Sequence, residues 1–300
     1  MKCGIVDVGS NTMRLSIYQY DAEGFKLLLN KKEMAGLAGY VRDGALSPEG
    51  INVACTILSG FRALLENFGI EDLHVFATAS LRNVTNTSEA VETIRALTGL
   101  AVEVVSGAEE AQLSFLGASA GLPHASGLLA DIGGGSTELV TYEDGKIKSS
   151  SSLPIGSLSL FSRYVENLFP TAEESKAIRR RVNAELTSAT VQTPPCSHLL
   201  GVGGTIRAAG KMCNDLTRAA TDNPLIPAEQ IRDLYRQLKR ADKTTLRQIL
   251  RSVPDRVHTL IPGLIILNSV IKTFAIDTVI VSAWGVREGY LIKHVMGKEN

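Results

Sequence analysis

The sequence has no excess of charge of either sign. Its 300 residues carry 31 lysines and arginines against 31 aspartates and glutamates, so the formal net charge is zero. Without a broad positive field, no general attraction to nucleic acid or to an anionic membrane is expected. A polyanion would have to be held by local groups such as Lys31 and Lys32, since the arginine run 179–181 is better explained as a solvated helix face. We therefore predict neither nucleic acid nor a membrane as a partner.

Cysteine is scarce and irregularly spaced. Cys3, Cys55, Cys196 and Cys213 show no Cys-x-x-Cys spacing, which argues against a zinc site or a disulfide framework. The chain starts almost at once on the strand-like run GIVDVG (4–9), which leaves little room for a signal peptide. Free thiols in a reducing compartment, and hence a cytoplasmic location, are the expectation.

Long apolar runs are missing as well. Region 260–281 is the most apolar part of the chain, but Pro262, Lys272 and Asp277 interrupt it. A membrane-spanning helix needs about 20 consecutive apolar residues, so this region predicts a helix followed by a strand. With 44% hydrophobic and 21% charged residues, the composition is that of an ordinary globular protein.

Short β-branched runs alternate with stretches of helical periodicity along the whole chain. Examples are the strand-like LHVFATAS (73–80) and the helical region 48–68. Alternation of this kind predicts an α/β fold. Because a proline and small polar residues occupy 123–126, we predict two domains, 1–122 and 123–300.

Two strand–turn–strand segments match each other residue by residue. IVDVGSNTMRLSIY (5–18) aligns with LADIGGGSTELVTY (129–142), which places Asp7 on Asp131 and Gly9 on Gly133. One such segment is as well explained by a plain tight turn. Two segments with the same acid and the same glycine predict duplicated halves.

The residues at these turns suit a phosphoryl group. Glycine permits a positive φ and a close approach of backbone N–H groups to an anion, and the serine and threonine hydroxyls add donors. An aspartate at the end of the incoming strand can hold Mg²⁺ or a water molecule. The pair of turns therefore predicts a phosphate site with carboxylates beside it.

Further strand ends carry similar groups. LLGVGGTIRAAG (199–210) places Gly204 and Thr205 at a helix N-terminus, a form that binds anions. VFATASLRN (75–83) presents Arg82 as a candidate phosphate clamp. In VSAWGVREGYL (281–291), Arg287 and Glu288 are interpreted as a surface pair.

Two adjacent glutamates follow the strand-like VEVV at 102–105. Glu109 and Glu110 begin a predicted helix, where acids are common because they interact favourably with the helix dipole. Alternatively, one of them is a general base that activates water. Helical periodicity alone does not choose between the two.

Seven motifs occur in an order and spacing that resemble one enzyme family, the exopolyphosphatase/guanosine pentaphosphate phosphohydrolase (Ppx/GppA) family in its short two-domain form. They are DVGSNTMRL, ATASLRN, VVSGAEEAQLSFLG, LADIGGGSTELV, GVGGTIRAA, IPGLIIL and SAWGVREGYL. The resemblance covers essentially the whole chain. It implies two ribonuclease H-like domains of the actin, sugar kinase and Hsp70 superfamily, with an interdomain cleft.

The resemblance also implies roles for individual residues. Glu110 matches the catalytic glutamate that activates water, and Asp131 and Glu138 match acids that position the metal and the water. Asp7 would share the binding of Mg²⁺ or Mn²⁺. Phosphate-binding positions are Ser10, Asn11, Arg82, Gly133, Gly134, Gly135, Ser136 and Thr137.

The implied reaction is hydrolysis of the terminal phosphoanhydride of inorganic polyphosphate. The alternative substrate is guanosine pentaphosphate, with guanosine tetraphosphate as a related ligand, and a homodimer is left open. Two rival classes are a small-molecule kinase of the same fold and a sensor that binds such nucleotides without turnover. The glutamates of SGAEEA argue against the kinase, and the intact set of acids argues against the sensor.

Overall fold

The chain forms two compact units. The structure is a computed structural model that describes residues 1–120, 126–192 and 197–298. One unit comprises Met1–Glu110 together with the C-terminal residues from Tyr290 onward, and the other comprises Ala111–Gly289. The predicted boundary between residues 122 and 123 lies outside the described residues, so the division into 1–122 and 123–300 stays a prediction.

The first unit is built on a five-stranded sheet. Its strands are β1 (Lys2–Val8), β2 (Thr12–Tyr20), β3 (Phe25–Met34), β6 (Leu73–Ala77) and β7 (Glu103–Val104), and a small hairpin adds β4 (Val41–Arg42) and β5 (Ala45–Leu46). The sheet order is β3-β2-β1-β6-β7, antiparallel from β3 to β1 and parallel from β1 to β7. The helices are α1 (Pro48–Asn67), α2 (Ala79–Arg82), α3 (Thr87–Thr98) and the start of α4 (Gly107–Ser119), with a 3₁₀ turn at Leu37–Tyr40 and a π-helical turn at Leu291–Val295.

The second unit repeats this plan with one extra edge strand. Its strands are β8 (Gly127–Ile132), β9 (Thr137–Glu143), β10 (Lys146–Leu153), β11 (His198–Val202), β12 (Leu225–Pro227) and β13 (Thr278–Val281). The order is β10-β9-β8-β11-β13-β12, with β8, β11 and β13 parallel and the remaining pairs antiparallel. The helices are α5 (Ser157–Tyr164), α6 (Ala172–Ser188), α7 (Gly204–Thr217), α8 (Ala228–Leu238), α9 (Lys243–Ser252), α10 (Leu260–Thr273) and α11 (Val286–Tyr290), with a 3₁₀ turn at Pro254–Arg256.

The duplication predicted from the sequence is confirmed at the level of single hydrogen bonds. The Gly9 N–H donates to the Thr12 carbonyl at 3.1 Å, and the Gly133 N–H donates to the Ser136 carbonyl at 3.0 Å. The strand registers also correspond, because β1 pairs with β2 as β8 pairs with β9. Each half therefore opens with the same hairpin, followed by parallel strands.

Each unit has its own hydrophobic core. In the first unit, α1 packs its apolar face on the sheet through residues such as Leu58 and Leu65, and in the second, α10 is buried around nearly its whole circumference. The predicted helix and strand of region 260–281 are confirmed as α10 and β13. Among the described residues, no helix combines the length and apolar character needed to cross a membrane.

Three of the four cysteines lie within the described residues, and all three are buried free thiols. They are Cys3, Cys55 and Cys213. Burial raises the pKa of the Cys3 and Cys213 thiols to about 12, so both stay protonated at neutral pH. These thiols are packing groups of the core. Cys196 lies outside the described residues.

Candidate active site

The hairpin of β8 and β9 brings two predicted catalytic acids together. Asp131 and Glu138 are directly opposed in the strand register, so their side chains project from the same face of the sheet. Both are buried, with exposures of 8% and 1%. The Ser114 hydroxyl donates to Asp131 Oδ2 at 2.6 Å, and the Ser152 hydroxyl donates to Glu138 Oε1 at 2.8 Å. Hydroxyl donors thus hold both carboxylates in place.

The equivalent hairpin of the first unit carries a different pair. Asp7 is opposite Arg14 in the register of β1 and β2, and Arg14 occupies the position of Glu138 in the aligned repeat. A cation therefore replaces one of the two acids. The sequence alignment contained this signal, but without the strand register it did not indicate which residues face each other. The metal-binding role of Asp7 stays a prediction.

The glycine run after β8 is anchored through its carbonyl groups. The Ser157 N–H donates to the Gly133 carbonyl and the Leu158 N–H donates to the Gly134 carbonyl, both at 2.9 Å. In a trans peptide the C=O and the following N–H point in opposite directions. The N–H groups of Gly134 and Gly135 therefore point away from the N-terminus of α5. Anion binding by these two N–H groups stays a prediction.

The glycines of this loop do not use the positive φ that glycine permits. The described glycines with a positive φ do not include Gly133, Gly134 or Gly135. Space is the constraint instead, because a Cβ on Gly156 would overlap the Gly134 carbonyl group. Gly156 lets the chain before α5 pass against the loop, and sequence reasoning missed it.

A positive φ does occur beside the carboxylate pair, at Gly203. This residue has φ +93°, and a Cβ there would lie 2.6 Å from the Ile132 carbonyl oxygen and 2.8 Å from Asp131 Oδ1. At the next position, a Cβ on Gly204 would overlap the Arg256 guanidinium group. At the start of α7, the absence of side chains therefore leaves space for the Asp131 carboxylate beside Gly203 and for the Arg256 guanidinium beside Gly204.

Several predicted phosphate-binding residues are fixed mainly by local contacts. Thr205 is 1% exposed, and its side chain packs against Gly263 of α10. A Cβ on Gly263 would overlap that side chain. The fully buried Thr137 hydroxyl donates to the Ile155 carbonyl at 2.6 Å. The Thr137 hydroxyl proton is thus already used in a hydrogen bond within the protein.

The remaining loop residues belong to the two hairpin turns. The Ser10 and Asn11 carbonyls accept hydrogen bonds from the segment around Gly36 at 2.9 to 3.1 Å. Ser136, at the matching position of the other hairpin, is buried at 3% exposure. The hydrogen bonds fix the backbone of the first turn, and phosphate binding by Ser10, Asn11 and Ser136 stays a prediction.

Arg82 and Glu110, predicted as separate site residues, are in direct contact. Arg82 Nη1 lies 2.6 Å from Glu110 Oε2 and 3.1 Å from the Val105 carbonyl oxygen. Glu110 is 7% exposed and belongs to the first turn of α4, where its N–H donates to the Ser106 carbonyl. A charge-assisted hydrogen bond of this length fixes the carboxylate geometry. Arg82 therefore positions Glu110.

Two arginines, the partly buried Arg207 and the buried Arg287, act electrostatically on Asp131. Burial raises the pKa of the Asp131 carboxyl, while the Ser114 hydroxyl and the charges of Arg207 and Arg287 favour its ionised form. Burial lowers the pKa of the Arg207 guanidinium, and the neighbouring charge of Arg287 lowers it further. Sequence reasoning missed Arg207, although it follows the glycine pair in GVGGTIR. Guanidinium groups suit a phosphate-rich ligand, because their planar donor geometry matches phosphate oxygens.

The interpretation of Arg287 and Glu288 as a surface pair is wrong. Their exposures are 8% and 3%. The Gly285 N–H donates to Glu288 Oε2 at 2.8 Å, which caps the start of α11. A Cβ on Gly285 would lie 2.6 Å from the Val202 side chain, so α11 begins in close contact with the end of β11. Arg287 and Glu288 are therefore buried rather than exposed.

The chemistry of the buried acid pair fits a divalent cation. Asp131 and Glu138 offer carboxylate oxygens, which Mg²⁺ and Mn²⁺ prefer as ligands. Burial alone disfavours the ionised form of Asp131, and a dication held between the two carboxylates would offset that cost.

A model of the Ppx/GppA phosphatase family matches residues 16–297. The chain belongs to this family. Ppx/GppA membership makes it an enzyme of the phosphoanhydride hydrolase class. Among its relatives, Exopolyphosphatase 1 of Mycobacterium leprae is 22% identical over 98% of this chain and 89% of that protein. Exopolyphosphatase 1 of Mycobacterium tuberculosis strain H37Rv is 23% identical over 98% of this chain and 88% of that protein.

Solved structures agree with the Ppx/GppA fold. An exopolyphosphatase from Cytophaga hutchinsonii superposes with a TM-score of 0.88 at 24% identity, and a Ppx/GppA family member from Aquifex aeolicus with a TM-score of 0.81 at 26% identity. Each comparison covers 100% of this chain and 99% of the other. The predicted α/β fold with two sheet-and-helix units is confirmed, and it is the fold of these Ppx/GppA structures. Its assignment to the actin, sugar kinase and Hsp70 superfamily, with ribonuclease H-like units, stays what the sequence resemblance implies.

Proposed function

We propose that this Ppx/GppA chain is an exopolyphosphatase that removes the terminal phosphate of inorganic polyphosphate as orthophosphate. The observation that carries the proposal is the Arg82–Glu110 contact at 2.6 Å, which holds a nearly buried carboxylate in one orientation. General-base catalysis needs a carboxylate held in this way. The names of the mycobacterial relatives support the choice of polyphosphate.

Glu110 is the proposed general base. Its carboxylate accepts a proton from the attacking water as the new oxygen–phosphorus bond forms and the bond to the bridging oxygen breaks. Arg82 keeps the carboxylate aligned during this step. Because phosphoryl transfer depends mainly on positioning and charge neutralisation, no covalent nucleophile is required.

The second unit supplies the proposed groups for phosphate binding. The N–H groups of Gly134 and Gly135 donate to phosphoryl oxygens, since their orientation away from α5 suits that role. Arg207, Arg256 and Arg287 add positive charge for a polyanionic chain. Asp131 and Glu138 would hold Mg²⁺ or Mn²⁺, which when bound neutralises developing charge on the phosphoryl oxygens.

Glu110→Gln tests the assignment of the base. Glutamine keeps the size and polarity of the side chain but accepts no proton, so the turnover number should fall by about 10² to 10⁴. The KM should change little, because the lost interaction is one of the transition state. Phosphate release from polyphosphate measures the effect, with circular dichroism as the check on folding.

Glu109→Gln is the matched comparison, because Glu109 precedes Glu110 in the same helical turn. Its loss of activity should be far smaller. Equal losses in the two variants would contradict the assignment of Glu110 as the base.

Substrate choice is tested on the unmodified protein. Phosphate release is measured with polyphosphate of several chain lengths and with guanosine pentaphosphate in parallel. We expect the larger kcat/KM with polyphosphate. A larger value with guanosine pentaphosphate would overturn the choice of substrate and leave the proposed chemistry intact.

A further inference from the structure

A second group of metal-ligating side chains lies in the first unit. Glu103 of β7, Glu109 in the first turn of α4 and His294 in the C-terminal π-helical turn offer ligand atoms that all lie within 4.8 Å of one another. These residues come from three separate segments of the chain. The group shares no residue with the acid pair Asp131 and Glu138.

Within this group, the distance between His294 and Glu109 is compatible with two ligands of one metal ion. His294 Nε2 lies 3.5 Å from Glu109 Oε1, whereas N–H···O hydrogen bonds have lengths of about 2.7–3.2 Å. Two ligands of a tetrahedral zinc ion, each about 2.1 Å from the metal, lie roughly 3.4 Å apart. An ion shared by these two atoms would therefore need little rearrangement.

Tyr290 orients two of the three ligands. Its hydroxyl donates to Glu103 Oε2 at 2.7 Å, and its ring lies 4.6 Å from that of His294. Stacking on Phe76, with ring centroids 4.8 Å apart, fixes the tyrosine itself. Outer contacts that orient ligands in this way are typical of protein metal sites.

The side chain of Lys293 lies near this group of ligands. Lys293 Nζ lies 3.6 Å from Glu109 Oε1, which is also longer than a hydrogen bond. The lysine side chain is 33% exposed and has a flexible stem, so it can swing toward water when a dication binds. The group contains two carboxylates, against the single ammonium group of Lys293.

We propose that Glu103, Glu109 and His294 bind a zinc ion, with water completing the coordination. Imidazole together with carboxylate favours Zn²⁺ over Mg²⁺, which prefers an all-oxygen shell and keeps much of its water. The bound ion joins the C-terminal turn to the start of α4 and to β7. The proposal is independent of the proposed function, because it needs neither substrate nor turnover.

Zinc binding is measured on the full chain without substrate. Millimolar Mg²⁺ is present throughout to occupy sites made of oxygen ligands, and Zn²⁺ is titrated calorimetrically. We expect one zinc ion per chain. Co²⁺ as a probe should give visible absorption bands of a site with nitrogen and oxygen ligands, and Zn²⁺ should remove them.

Variants assign the site to its residues. His294→Ala and Glu109→Gln should each weaken Zn²⁺ binding about tenfold or more, and Tyr290→Phe should weaken it less because it acts through Glu103. The control is His198→Ala, an exposed histidine at the start of β11, which should bind as the unmodified protein does. Glu109→Gln is nearly isosteric and keeps the test valid should His294→Ala fail to fold. Absence of zinc binding in the unmodified protein, or undiminished binding in His294→Ala, would overturn the proposal.

Discussion

At the scale of single residues, Gly203 and Asp131 depend on each other. Gly203 has φ +93° and directly follows β11, where the absence of a side chain leaves space for the Asp131 carboxylate. The aspartate is buried and accepts a hydrogen bond from Ser114. Its position is therefore set partly by the neighbouring backbone.

Gly203→Ala should destabilise the protein and lower its activity. A side chain there combines backbone strain of about 1–3 kcal/mol with a clash against the Ile132 carbonyl and the Asp131 carboxylate. Gly69→Ala is the control, because Gly69 has φ +63° but no atom within 4 Å of the place where a Cβ would lie. Urea denaturation and phosphate release should show the larger loss for Gly203→Ala. Equal effects in both variants would mean that contact with Asp131 contributes nothing.

The limits of sequence reasoning are also clearest for single residues. Asp131, Glu138 and Glu110 are identified by motif, and the structure gives each a defined partner. The Arg82–Glu110 contact was not predictable, because two motifs of different helices meet there. Arg287 and Glu288 were misjudged because two adjacent charges in a sequence carry no information on burial.

At the scale of elements, the loop after β8 and the start of α5 form one unit. The carbonyl groups of Gly133 and Gly134 accept hydrogen bonds from the first N–H groups of α5, which would otherwise need a side-chain cap. Gly156 allows the approach. The repeated hairpins were predictable because their sequences match each other. The contact between Gly156 and the loop was not predictable, because the sequence around Gly156 carries no motif that relates it to the loop.

Gly156→Ala should shift the loop. Overpacking at such a contact costs about 1–3 kcal/mol of unfolding free energy, and displaced Gly134 and Gly135 N–H groups should raise the KM for polyphosphate. Gly60→Ala is the control, since Gly60 lies within α1 with nothing near a Cβ, and it should gain up to about 1 kcal/mol. An unchanged KM in a folded Gly156→Ala variant would show that the loop does not bind phosphate.

At the scale of the whole molecule, the charges are balanced overall but not locally. The net charge is zero, whereas in the second unit the buried Asp131 carboxylate interacts electrostatically with the partly buried Arg207 and the buried Arg287. Composition could predict only the overall balance. The local arrangement depends on the fold, which places separate strand ends at one edge of the sheet.

Removal of divalent metal should abolish hydrolysis. Without a cation, Asp131 and Glu138 would repel a polyanionic substrate, so excess EDTA should lower phosphate release by about 100-fold or more. Mg²⁺ or Mn²⁺ added alone, in zinc-free buffer, should restore it. Full activity in EDTA would rule out a metal-dependent reaction, and restoration by Zn²⁺ only would contradict the assignment of Mg²⁺ or Mn²⁺.

The second unit is a single uninterrupted stretch of chain, from Ala111 to Gly289, inserted into the first. Its two ends are adjacent, because Gly289 packs against the backbone of Leu113. Tyr290 contacts Phe76 and Glu103 of the first unit. If the inserted stretch is still unfolded when this contact forms, the contact closes a flexible loop of roughly 180 residues. Once the inserted stretch has folded, the flexible loop contains only a few residues. The free-energy cost of closing it, which comes from lost chain entropy, is then lower by roughly 3 kcal/mol. Loop closure therefore favours an order in which the inserted unit folds before the first unit is completed.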